Sequence, residues 1–116
     1  MNTKTNPAAP VDSEQLVQRC NGKVQLAMRM LEMFREDVVR QFSDIRNAVD
    51  QNDLEALARA AHAMKGTASM VSANETSQLA AEIEVAAKGS DLEQARATLE
   101  SLSQQVELCA RYKFSN

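Results

Sequence analysis

Tryptophan is missing from this chain, tyrosine occurs once and phenylalanine three times. Positive charge is also short: 13 Lys and Arg face 16 Asp and Glu, for a formal net charge of −3. No run of Lys and Arg forms a basic stripe, and no aromatic residues are interleaved with one, so nucleic acid is not an expected partner. No apolar run approaches the length of a membrane span, and no signal-peptide pattern opens the chain. Cytoplasm is therefore the expected compartment, with no membrane partner. Cys20 and Cys109 are far apart, neither belongs to a CxxC pair, and there is one histidine to help complete a metal site. They are read as two reduced, partly buried thiols, and no metal is expected.

Glycine (three) and proline (two) are scarce as well, which leaves few positions that interrupt a helix. What remains is rich in Ala, Leu, Glu, Gln and Arg, a mixture that favours helix throughout. The length of 116 residues suits one domain with a real core.

The hydrophobic pattern divides the chain into helices. Met1 to Pro10 is polar, holds both prolines and has no period; it is read as a disordered tail, with the folded domain over residues 11–116. Asp12 or Ser13 caps a short helix through Leu16, Val17 and Cys20, and Asn21-Gly22 ends it. From Lys23 to about Asp50, Ala27, Leu31, Phe34, Val38, Phe42, Ile45 and Val49 recur at steps of three and four, forming one buried stripe. Asn52-Asp53 interrupts, with Asp53 as the next N-cap. A third helix runs from Leu54 to about Ser72 on the stripe Leu54, Leu57, Ala61, Met64, Ala68 and Val71. Asn74 is expected to cap a fourth, Glu75 to Lys88, with Leu79, Ile83 and Ala86 inward and Gly89 at its C-terminus. Ser90 or Asp91 starts the last, in which Leu92, Ala95, Leu99, Leu102, Val106 and Cys109 step toward Phe114. Loops this short make successive helices antiparallel. The expected fold is all-α: an antiparallel up-down four-helix bundle with a short extra N-terminal helix.

His62 is the single histidine. It lies in Ala61-His62-Ala63-Met64-Lys65-Gly66, where a mid-helix glycine costs roughly 1 kcal/mol against alanine. On a helical wheel centred on Ala61, His62 falls about 100° from the core centre, so its ring is at the edge of the buried stripe and its tip reaches water. Lys65 at i+3 and Gly66 at i+4 share that side. A neutral imidazole nitrogen is a good nucleophile near neutral pH. Transfer of a phosphoryl group to it spreads negative charge over three oxygens, which a nearby lysine balances. A missing side chain at Gly66 leaves room for the phosphate and for an incoming protein. Nε2 is the expected nucleophile, because Nδ1 lies nearer the helix backbone. The chain has no glycine-rich nucleotide loop and no P-loop, so an autonomous kinase activity is not expected. The phosphoryl group has to come from another protein.

Ala61-His62-Ala63-Met64-Lys65-Gly66-Thr67-Ala68 resembles the motif of histidine-containing phosphotransfer (HPt) domains of bacterial multistep phosphorelays. That family follows the motif with a helix carrying a leucine and a hydrophobic-Glu pair, matched by Leu79 and Ile83-Glu84, and has a phenylalanine in the preceding helix, matched by Phe34. The resemblance spans about Val11 to Leu108. One departure is Val71-Ser72-Ala73, where the family has a glycine before the alanine. The resemblance implies a phosphorelay intermediate that accepts a phosphoryl group on His62 from a receiver-domain aspartate and passes it to another. The partners implied are the receiver domains of a hybrid sensor kinase and of a response regulator. The protein then needs no cofactor of its own, since the receiver supplies Mg²⁺.

Blander readings stand beside this one. His62 alone could be an ordinary half-buried surface histidine, Lys65 a solvated charge, and Gly66 a close-packing residue. Glu75, Glu82 and Glu84 read as a solvated face and not as acid-base catalysts. Met64 and Met30 read as core; Met28, Met33 and Met70 are left between core and surface. Glu55, Arg59 and Ser69 on the third helix, with Gln41 and Asp37 on the second, are the residues expected to dock a receiver. The absence of a second apolar stripe points to a monomer. The competing functional class is a helical adaptor that binds a kinase or receiver without being phosphorylated, and a third is a purely structural bundle.

Overall fold

A computed structural model describes residues 9–113; most of the N-terminal tail and Phe114 lie outside that range. The described residues form five helices: α1 (Ser13–Arg19), α2 (Val24–Asp50), α3 (Leu54–Met70), α4 (Asn74–Lys88) and α5 (Leu92–Arg111). No strand occurs among the described residues. α2 packs on α3 and α5, and α4 packs on α3 and α5, so the four long helices close a ring in chain order. The expected bundle with its extra short helix is what forms.

One turn design makes all three connections between the long helices. Asn52, Ser72 and Ser90 each take a left-handed φ, of 56°, 60° and 58°. The next residue's N–H then reaches back to the helix just finished: Asp53 to the Ala48 carbonyl (2.9 Å), Ala73 to Ala68 (2.8 Å) and Asp91 to Ala86 (2.8 Å). These bonds satisfy carbonyls that a helix end would otherwise leave open. The same residue that receives the turn caps the following helix. Asp53 accepts from the Ala56 N–H and Asp91 from the Gln94 N–H, just as Asp12 accepts from Gln15 at the start of α1. Asn74 does not cap α4, contrary to expectation. Ala73 holds the cap position with no side-chain bond, and the Asn74 amide donates to Gln15 of α1 instead. Ala73 is fully buried. α3 likewise ends at Met70, two residues early, because Ser72 has already turned left-handed.

Ser72 is a costly residue at that turn. Its Oγ is buried and has no protein partner. A left-handed L-residue costs about 1–2 kcal/mol and an unsatisfied hydroxyl about 1–3, against about 0.5–1 for the extra freedom of an unfolded glycine. Ser72→Gly should therefore stabilise the protein by about 1 kcal/mol or more and raise Tm by about 4 °C or more in a thermal melt. A lower Tm would contradict this account of the turn.

The core follows the predicted stripes, with changes at their edges. Phe42 is half-buried and stacks under the Arg46 guanidinium, 5.3 Å from the ring centre. Leu54, Leu92 and Leu99 are also half-buried, while Thr98 is buried and returns its hydroxyl bond to the Gln94 carbonyl. Both cysteines are free, and they are fully buried instead of partly. Burial pushes the Cys109 thiol up, partly offset by the Thr76 hydroxyl 3.4 Å away. Between α3 and α4 the facing side chains are small: Ala61, Ala68, Ala80 and Ala87 are all buried. Small residues let the two helices approach closely. Side chains at the shared edge can then meet across the interface.

Candidate functional site

α3 is held from three sides. The Ser77 hydroxyl of α4 donates to the Lys65 carbonyl at 3.0 Å. Thr67 of α3 donates to the Gln41 side-chain oxygen of α2 at 3.0 Å, and Arg19 of α1 donates to the Ser69 carbonyl at 3.0 Å. The middle of α3 is thus a fixed platform, and His62 stands on it with its side chain 68% exposed.

The imidazole is anchored at one nitrogen. His62 Nδ1 lies 3.0 Å from Glu84 Oε2. Glu84 is only 7% exposed in its side chain, which corrects the expectation of a solvated acid; Glu75 and Glu82 are exposed as expected. Glu84 Oε1 accepts from Lys65 Nζ at 2.9 Å, and Oε2 also accepts from Lys88 Nζ at 3.1 Å. The Lys65 ammonium, then those of Lys88 and the His62 ring, hold the Glu84 carboxyl down to about 2 against the opposing effect of burial.

That charge state decides the tautomer. An ionised carboxylate can only accept, so the ring nitrogen facing it must carry the proton. Nδ1–H donates to Glu84, and in the neutral ring Nε2 keeps its lone pair. Nε2 has no hydrogen-bond partner among the described residues, and the side chain is 68% exposed. Nδ1 is thus engaged by a carboxylate, a contact that the sequence reading of the two nitrogens did not include.

Gly66 has open space around it. A Cβ built there meets no heavy atom within 4 Å, so internal packing does not require glycine at this position. Lys65 reaches Glu84 in this state. Among the residues expected to dock a partner, Glu55 and Arg59 are exposed, and Ser69 and Asp37 are half-buried. Asp37 is paired with Arg40 at 3.3 Å. Gln41 is a correction: it is buried and its oxygen is bonded to Thr67, so it braces α2 against α3 and is withdrawn from the surface. Met28, Met33 and Met70 are exposed, Met64 is core, and Met30 is half-buried with Cys20 Sγ 3.7 Å from its sulfur. No group of three or more His, Cys, Asp or Glu is placed to hold a metal among the described residues. No described helix is long and apolar enough to cross a membrane.

The family model for the Hpt domain matches residues 29–111, most of the chain. The protein belongs to the Hpt domain family. Its membership assigns it a histidine phosphotransfer role in phosphorelays, whose partners are receiver domains of two-component systems. Two solved Hpt structures share the fold. Histidine-containing phosphotransfer protein B (HptB) from Pseudomonas aeruginosa PAO1 superposes with a TM-score of 0.79 at 22% identity, over 91% of this chain and 99% of that one. The Hpt domain of an Hpt sensor hybrid histidine kinase from Shewanella gives a TM-score of 0.65 at 22% identity, over 84% and 91%. No curated protein sequence matches this chain.

Glu84 and Lys88 are the site residues that sequence reasoning missed. The signal for Glu84 was present. Glu84 follows the core residue Ile83 as His62 follows the core residue Ala61. On antiparallel neighbours, equal offsets from the core centre are mirror-related, and for α3 and α4 they meet at the shared edge.

Proposed function

We propose that His62 Nε2 is the phosphoacceptor, taking a phosphoryl group from a receiver aspartate and passing it to a second receiver. The observation that carries this reading is the exposed imidazole whose Nδ1 is tied to the buried, ionised Glu84. In loading, the Nε2 lone pair forms the N–P bond. The O–P bond of the aspartyl phosphate breaks, and its electron pair returns to the receiver carboxylate. The Nδ1 proton stays against Glu84. In unloading the same steps reverse, and the retained proton makes the leaving group a neutral imidazole. Lys65 offsets charge on the transferred group. The receiver brings the Mg²⁺. The protein acts as a carrier without kinase activity of its own, as a monomer in the cytoplasm, with Glu55, Arg59, Ser69 and Asp37 bordering the contact.

A receiver domain charged with labelled phosphate tests the proposal. Acid-labile, base-stable label should appear on this chain. Binding without label supports the adaptor, and neither binding nor label supports a structural bundle.

Gly66 offers a second test. Gly66→Gln should raise helix stability by roughly 1 kcal/mol, because glutamine is the better helix former and the space is open. It should also slow transfer by about tenfold, a barrier of about 1.4 kcal/mol, because the new side chain occupies the approach to Nε2. Equal transfer rates in stopped-time assays would refute the clearance argument.

A further inference from the structure

We propose that Lys88 is a second phosphoryl-binding group, parked on Glu84 while His62 is free and released to the phosphate once His62 is loaded. The inference rests on the reading of His62 as phosphoacceptor and adds a residue and a mechanism to it. Glu84 carries one negative charge and receives two ammonium groups as well as the ring N–H. With a neutral ring the cluster holds one positive charge more than it needs. Lys65 has Oε1 to itself at 2.9 Å, whereas Lys88 shares Oε2 with His62 Nδ1, at 3.1 and 3.0 Å. Two donors on one oxygen set the Lys88 ammonium beside the imidazole. Its side chain is 67% exposed against 38% for Lys65, so it is the freer of the two.

Loading His62 changes the competition at Oε2. A ring that bears phosphorus on Nε2 and a proton on Nδ1 is cationic, so its bond to Oε2 tightens. Lys88 loses ground on that oxygen at the moment a dianionic group arrives next to it. The ammonium then moves to the phosphate, and the surplus positive charge is consumed. The plainer role of Lys88 is an i,i+4 ion pair in the last turn of α4, favourable to the helix dipole. That role acts equally in the loaded and free protein, whereas charge handover acts in the loaded protein alone.

The full chain, as wild type, Lys88→Gln, Lys88→Arg and His62→Gln, is equilibrated with a receiver domain charged with ³²P from labelled acetyl phosphate. The readout is the partition of label between histidine and aspartate. At equilibrium it is a property of the two separate phosphoproteins, so docking effects drop out. Lys88→Gln should shift the partition toward the receiver by about three- to tenfold, Lys88→Arg should restore most of it, and the Tm of the unloaded proteins should hardly move. Label on the wild type with an unchanged Lys88→Gln partition overturns the role of Lys88 alone, as does failure of Lys88→Arg to restore it. No label on the wild type, or equal label on His62→Gln, overturns the phosphoacceptor reading and this one with it.

Discussion

His62→Gln should fold like the wild type and take up no phosphate. The side chain is 68% exposed and packs into no cavity, so the change in stability is expected within about 0.5 kcal/mol. Glu84 keeps both lysines when the ring is lost, so no buried charge is left alone. The loss of transfer should be complete, because the chain has no other imidazole to take the phosphoryl group. There is no second histidine, and both cysteine thiols are buried. Thermal melts establish folding, and label from a charged receiver measures transfer. Label retained at the wild-type level would move the phosphoacceptor elsewhere.

Glu84→Ala should slow transfer by about 10- to 100-fold, the range seen when the carboxylate that orients a metal-bound histidine is removed. Without the carboxylate, the ring proton is free to sit on Nε2, where it blocks the lone pair. The fold should survive, but without the stability that the charged Glu84 contributes. Lys65 and Lys88 are 38% and 67% exposed, so both can turn to water once their partner is gone. Glu84→Gln separates the two jobs of the residue. Its amide oxygen still accepts from Nδ1–H, so its transfer rate should lie between wild type and alanine. Its charge is gone, and that has a pH signature. The carboxyl is held at about 2 in the folded protein against an ordinary 4.5, principally by Lys65. The stabilisation is therefore complete above pH 4.5 and is lost as pH falls toward 2. The stability gap between wild type and Glu84→Gln should close across that window in denaturant titrations. A gap that persisted unchanged down to pH 2 would contradict the charge-paired account of Glu84.

The helices and the exposed position of His62 were legible in the sequence because both follow from periodicity. Stripes at steps of three and four fixed which face of each helix is buried, and short polar breaks fixed where each ends. His62 at the stripe's edge, with Gly66 one turn on, followed from the same wheel. What could not be read along a single helix was the meeting of two. Glu84 looks like any acid between Ile83 and Val85 until α3 and α4 are set antiparallel and drawn together by alanines. Its burial depends on that closeness and on two lysines distant in sequence from each other. Gln41 failed for a related reason: a polar residue on the stripe's edge reads as surface, and only the Thr67 hydroxyl across the interface explains its burial. Asn74 was expected as a cap by residue type, but Ala73 holds the cap position and the Asn74 amide reaches Gln15 of α1.

The most direct measurement is nitrogen and phosphorus NMR of the His62 ring before and after loading. In the free protein, Nδ1 should carry a proton donated to Glu84. After incubation with a charged receiver, phosphorus should be bonded to Nε2 while the Nδ1 proton remains. A free ring with no proton on Nδ1, or phosphorus found on Nδ1 or on any other residue, would contradict the proposal.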